Sequence, residues 1–231
     1  MRNRIFIFKR EAGLILMFIL LFSFCSPSPK GLIILCAGDS ITEFGYPRYL
    51  RNILKNEGVQ ARILNQGKSG HNSREYLSFL EKNQEALRKS SPDFVLLQLG
   101  TNDVRIDHDQ ISANDFYNNM KHIVDLLRRF KTRTGKNTLL LLATIPPISE
   151  DIPFPFAPDS GKRVEEEINP LIQKIAREEK IPLVDNYSLF LQSPRLLPDV
   201  HPSLEGYKAL AQNWFNALKK EGMSEKSTTN L

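Results

Sequence analysis

The sequence predicts an α/β fold, a three-layer α/β/α sandwich on a parallel sheet of about five strands. Two observations carry this reading. From residue 32 onward, short apolar runs of strand length alternate with amphipathic stretches of helical period. The runs are also apolar at consecutive positions, as strands buried on both faces are. Such alternation joins consecutive parallel strands through right-handed crossovers.

In order, the expected strands are Leu32 to Ala37, Ala61 to Asn65, Phe94 to Leu99, Thr138 to Ala143 and Ile181 to Asp185. The second is the weakest, since Arg62 and Asn65 interrupt it. Tyr46 to Lys55 reads as a helix stopped by Asn56-Glu57-Gly58, and Ser73 to Leu87 as one with Tyr76, Phe79, Leu80 and Leu87 on one side. Ser112 to Phe130 carries Phe116, Met120, Ile123, Leu127 and Phe130 at steps of four and three, with Ser112 and Asp115 at capping-box spacing. Val164, Ile168, Leu171, Ile172 and Ile175 mark a helix bent by Pro170. The last helix follows Ser203, with Leu204, Tyr207, Ala211, Trp214 and Leu218 facing inward.

Composition sets limits on function. The 231 residues suit one ordinary domain, with 41% hydrophobic and 25% charged residues. Two cysteines cannot staple a fold, so a hydrophobic core must hold it, and Cys36 reads as a small buried residue within the first strand. The net charge is +5, but residues 1–25 hold four basic residues and one acid. The remainder, 27 basic against 25 acidic, lacks the excess expected of a nucleic-acid binder.

Residues 1–25 read as an export signal. A basic stretch precedes an apolar run from Ala12 to Phe24, short of the ~20 residues a membrane-spanning helix needs. Cys25 closes the run, as in a bacterial lipoprotein signal where the cysteine becomes the lipidated N-terminus, although Phe24 is bulky where a small residue is usual. Ordinary cleavage, an uncleaved anchor and a buried N-terminal helix stay open beside lipidation. Residues 26–31 then form a polar linker, 32–220 the folded domain and 221–231 a flexible polar tail. The expected location is exported, in the periplasm or anchored to a membrane only through this N-terminal signal or lipid.

In an open parallel sheet, ligands bind beyond the carboxyl ends of the strands. The residues there are Gly38-Asp39-Ser40-Ile41-Thr42, Asn65-Gln66-Gly67-Lys68-Ser69-Gly70, Gly100-Thr101-Asn102-Asp103 and, past the fifth strand, Leu197-Pro198-Asp199-Val200-His201-Pro202. A serine, a glycine, an asparagine and a histidine therefore converge at one end of the sheet. Acyl transfer needs such a set: a base to take the serine proton, and fixed donors for the oxyanion.

These four segments, in this order, resemble the signature blocks of the SGNH (GDSL-type) hydrolases over about Leu32 to Leu218. The resemblance implies a flavodoxin-like strand order, no cofactor and a serine esterase. It makes Ser40 the nucleophile and His201 the general base. The oxyanion hole would be the Ser40 N–H, the Gly67 N–H and the Asn102 amide. Asp199 would orient His201, although the family usually places this acid three residues before the histidine and Asp199 stands two before it. Asp39 and Asp103 lie inside the matching blocks and read as loop-holding residues.

Further candidates for substrate contact are Asp39, His71, Phe154 and Phe156. The last two lie in the irregular segment Ile145 to Lys162, which reads as a lid, a pocket wall or simply a packed loop. His108 and His122 have no partner at metal-ligand spacing, so no metal is expected. Gly67-Lys68-Ser69 is no phosphate-binding P-loop, because Arg62 stands where a glycine is needed. Expected substrates are small-molecule, polysaccharide or lipid esters, with short O-acetyl esters on carbohydrate favoured. A lysophospholipase or acyl-thioesterase, acyl transfer to another acceptor, and a catalytically inactive binding module remain the alternatives.

Overall fold

The computed structural model describes residues 31–107, 110–149 and 151–223. Cys25, the export signal and His108 lie outside the described residues. Five parallel strands form one sheet: β1 (Leu32–Gly38), β2 (Ala61–Gly67), β3 (Phe94–Gln98), β4 (Leu139–Ala143) and β5 (Leu183–Val184). Their spatial order is β2-β1-β3-β4-β5, the flavodoxin-like order.

The helices are α1 (Ser40–Phe44), α2 (Tyr46–Asn56), α3 (Ser73–Lys89), α4 (Ala113–Arg128), α5 (Pro158–Arg163), α6 (Asn169–Glu178), α7 (Asn186–Leu191) and α8 (Leu204–Lys220). Strand residues divide between two apolar layers by the two-residue alternation of a strand. Leu35, Val95, Leu97, Leu140 and Leu142 meet Tyr76 and Leu80 of α3, Phe116, Met120 and Ile123 of α4, and Ile172 and Ile175 of α6. Ile34, Cys36, Phe94, Leu96 and Leu141 meet Leu50 and Leu54 of α2 and Leu210 and Trp214 of α8. Trp214 is fully buried and stacks on Tyr46, with ring centroids 5.8 Å apart. A side chain buried this way contributes about 1.5–3 kcal/mol, which favours the layered arrangement over an open sheet.

Local differences from the expected elements have physical causes. β5 is only two residues long, at the sheet edge, and Pro182 before it has no N–H to give to a ladder. The helix expected around Val164 begins earlier, at Pro158, and widens into a π-helical turn, Val164–Ile168, just before Pro170. There the Asn169 N–H reaches back five residues to the Val164 carbonyl. Leu204 faces solvent instead of the core, because it opens α8 ahead of the packed stripe. The Ser112 hydroxyl accepts the Asp115 N–H and donates to the Asp115 carboxylate, so that carboxylate returns to the hydroxyl. The reciprocal capping box falls instead at Asn72 and Glu75, ahead of α3. Met223 is buried, so packing continues past the end of α8.

Candidate active site

The site is assembled at the carboxyl ends of β1, β2 and β3. Gly38 ends β1 under tight constraint, because a Cβ there would lie 2.2 Å from the Gln98 carbonyl and 2.4 Å from the Thr42 hydroxyl. The chain then turns at Asp39, whose carboxylate caps α1 by accepting the Ile41 N–H at 3.0 Å. Ser40 is thereby the first residue of α1. Its backbone N–H belongs to the first turn, where no intrahelical acceptor exists.

The His201 ring comes from the loop before α8. Ser203 caps α8 by accepting the Gly206 N–H, and its own N–H donates to the Leu196 carbonyl. A Cβ at Gly206 would lie 2.1 Å from that carbonyl, so glycine lets the loop sit close on the helix. The result brings His201 Nε2 to 2.9 Å from Ser40 Oγ. Asp199 Oδ1 stands 3.6 Å from His201 Nδ1, an ion-pair distance longer than a hydrogen bond, and accepts the His201 backbone N–H instead. Both side chains are solvent-exposed, the Asp199 one more so.

Asn102 sits in a 3₁₀ turn, Thr101–Val104, directly after β3, and is buried. Its amide donates one hydrogen to the His71 carbonyl at 3.0 Å, leaving a second. Beside it the Asp103 carboxylate accepts the Ser73 N–H through both oxygens at 3.0 Å. The turn after β3 is thus stitched to the loop after β2.

Gly67 does not offer the donor expected of it. Its N–H donates to Asn65 Oδ1 at 2.9 Å, and a Cβ there would lie 2.2 Å from the Glu43 backbone nitrogen. It is a close-approach glycine that lets α1 pack on β2. Three residues later, Gly70 adopts φ +76°, and its N–H has no hydrogen-bond partner among the described residues. Gly70 directly precedes His71, whose carbonyl Asn102 holds. The loop is fixed by Glu43 and Asn65. Glu43 accepts the Ser69 N–H at 2.7 Å, and Asn65 Nδ2 donates to the Glu43 carbonyl at 2.9 Å. The sequence does offer Gly70, as the second glycine of the segment from Asn65 to Gly70.

The four substrate-contact candidates separate. Asp39 is fully buried and capping a helix, so it cannot reach a substrate. Phe156 is buried in the layer with α4 and α6, not on a crevice wall. Phe154 is 73% exposed at a loop tip. His71 is half-buried, its ring edge-on to Phe79. The segment after β4 is a packed loop at both ends: Ile145 and Ile148 are buried, and Ser160 donates to the Val104 carbonyl at 2.8 Å.

Electrostatics below the crevice are unusual. Burial pushes the Asp39 carboxyl up to about 6, against the helping bond from the Ile41 N–H. Burial pushes Asp103 up to about 7, helped by repulsion from Asp39 and opposed by the Ser73 bonds and by Arg163.

A serine in hydrogen-bond contact with a histidine, at the carboxyl edge of a flavodoxin-like sheet, is a nucleophile–base pair of the kind acyl-transfer sites use. The chain belongs to the GDSL-like lipase/acylhydrolase family, whose model matches residues 36–209. It is 28% identical over 225 residues to an acetylxylan esterase of Xylanibacter ruminicola, covering 84% of this chain and 45% of that protein. A multidomain esterase of Ruminococcus flavefaciens is 29% identical over 136 residues, 58% of this chain and 16% of that one. The chain therefore spans less than half the length of the curated relatives it matches. Among solved structures, a variant of an acetyl xylan esterase from Geobacillus stearothermophilus superposes with a TM-score of 0.65 at 21% identity, over 82% of this chain and 95% of that one. A lipase/acylhydrolase from Enterococcus faecalis superposes with a TM-score of 0.67 at 22% identity, over 82% and 96%. These likenesses carry the fold.

Proposed function

We propose that this chain is an exported serine esterase that removes short acyl groups, acetyl foremost, from carbohydrate. The observation that carries the chemistry is the 2.9 Å contact between Ser40 Oγ and His201 Nε2. In this reading His201 takes the Ser40 proton as the hydroxyl attacks the ester carbonyl. The oxyanion that forms is met by the Ser40 N–H, by the free hydrogen of the Asn102 amide and by the Gly70 N–H, which replaces Gly67 in this role. His201 then protonates the departing alcohol, and water releases the acid from the acyl-enzyme by the reverse sequence. Asp199 fastens the loop that carries His201 through its bond to the His201 backbone N–H, more than it orients the ring.

The preference for acetyl on carbohydrate is supported by the sequence likeness to the acetylxylan esterase of Xylanibacter ruminicola. A second reading, a lipase-like or thioesterase activity, is favoured by one feature. An apolar cleft of about 200 Å³, lined by Pro147, Ile148, Leu191, Pro194 and Leu197, lies where the loops after β4 and β5 meet. Hydrolysis rates on p-nitrophenyl esters of increasing chain length, and acetate release from acetylated xylo-oligosaccharides, separate the two. Fastest turnover of the acetate ester with acetate release from the sugar supports the first reading. A maximum at a medium or long chain overturns it. For the N-terminal segment we propose export with lipidation at Cys25. Mass spectrometry of the mature N-terminus tests this, and an unmodified residue other than Cys25 there would refute it.

A further inference from the structure

Five parallel strands begin at one pole of this sheet, and the helices that return between them end at that same pole. The described chain enters there too, at Gly31, directly before β1. The catalytic residues occupy the opposite pole, where the strands end.

At the strand-start pole a depression of about 460 Å³ lies between the beginnings of β1 and β2 and the end of α2. Its charged lining is Arg51, Lys55, Arg62 and Arg133, with no carboxylate among the lining residues. Arg133 is engaged, 3.6 Å from Asp93 and bonded to the Gly31 carbonyl. Arg51, Lys55 and Arg62 are exposed and have no ion-pair partner among the described residues. Lys219 and Lys220, closing α8, fall at the same pole.

Complementing helix dipoles accounts for Lys55, Lys219 and Lys220, which stand in last turns. It does not account for Arg62, which lies in a strand, or for Arg51 in the middle of α2. Cations left unpaired around one depression, at the pole where the chain enters, call for an anionic partner. Upstream of Gly31 the sequence offers an apolar run ending at Cys25, six residues away. Six residues reach at most about 20 Å when extended. A membrane holding that segment would keep this pole within about two Debye lengths of its surface.

We propose that the basic pole around Arg51, Lys55 and Arg62 is a docking surface for an anionic phospholipid membrane, which holds the domain with its crevice facing away from the lipid. The inference rests on the reading of residues 1–25 as an anchoring signal and is independent of the hydrolytic reading. An esterase oriented this way faces polymeric substrate outside the membrane instead of lipid within it.

The test is sedimentation of the full chain with two kinds of vesicle, pure phosphatidylcholine and a mixture containing phosphatidylglycerol. Binding to the neutral vesicles reads the N-terminal segment alone. The added binding to the anionic ones reads the charges. The same measurement on an Arg51→Ala, Lys55→Ala, Arg62→Ala variant isolates the pole, because both proteins share the basic residues of the N-terminal segment. Each cation is worth about fivefold near such a surface, so the variant should lose on the order of a hundredfold in affinity for the anionic vesicles. Its affinity for neutral vesicles, its melting temperature and its turnover of a soluble ester should stay those of the wild type. Added salt should erase the difference between the two proteins. A wild type without preference for the anionic vesicles, or a variant that keeps the full preference, overturns the proposal. So does loss of the preference in inorganic phosphate too dilute to screen charge, which would mark a site for a free anion.

Discussion

The Asp199 carboxylate accepts the backbone N–H of His201 while standing 3.6 Å from its ring nitrogen Nδ1. The two-residue spacing explains this. At that offset the carboxylate closes an Asx-type turn onto its own loop, and the shortest path leads to the backbone. The exposed carboxylate therefore fastens the loop that carries His201 and makes no hydrogen bond to its ring.

Asp199→Asn should accordingly lower kcat by only about ten- to a hundredfold, against a loss on the order of 10³ or more for His201→Ala. Steady-state kinetics on one ester substrate compare the two directly. Equal losses would mean that the ring is held by Asp199 during turnover.

Ser40→Ala should abolish hydrolysis and leave the melting temperature nearly unchanged, since the side chain lost is small. A fluorophosphonate probe followed by peptide mapping should label Ser40 and not Ser69. Modification at any other serine, or continued turnover by the variant, contradicts the assignment.

Gly67 and Asn102 have separable tasks. At Gly67 a Cβ would press on the Glu43 backbone nitrogen at 2.2 Å, so Gly67→Ala should destabilise the fold by about 1–3 kcal/mol as an overpacked contact. Asn102→Ala should instead lower kcat by about 10²–10³, as loss of an oxyanion donor does, with little change in KM. Chemical denaturation paired with kinetics on both variants reads the distinction. A Gly67→Ala protein of wild-type stability would show that α1 and β2 can separate at no cost.

Stability should fall with rising pH through the acidic range. Asp39 and Asp103 rise from an ordinary 3.8 to about 6 and about 7 in the folded protein. Between those values the folded state keeps protons that the unfolded chain releases, so their contribution is complete below 3.8 and is lost as pH climbs to about 7. Asp39→Asn keeps an oxygen to cap α1 and removes the buried charge, so its stability should vary less over this window. Urea titrations of both proteins at several pH values would show it. A wild type and variant with parallel pH dependence would count against titration of Asp39 in that range.

Much of the fold was legible in order and type. β1, β3 and β4 are runs such as Phe94 to Gln98, apolar at nearly every position, and α4 and α8 carry long apolar stripes at helical spacing. Burial on both faces leaves few other structures for such runs. α7 was missed because its six residues are too short to show a period, although Asp185 and Ser188 form its cap.

The sequence by itself determined the parallel sheet, the strand ends where chemistry would gather, and Ser40, Asn102 and His201 as the residues to watch. Those follow from periodicity and from short motifs, which are local properties. Tertiary structure alone decided which donors and acceptors are free. Glu43 from another element takes the Ser69 N–H, and the Asn102 amide spends one hydrogen on the His71 carbonyl. It also decided that Asp39 lies beneath the crevice. A hydrogen bond is a relation between two groups at a set distance, and which group reaches first depends on how separate strands and loops pack together, which one-dimensional spacing does not contain.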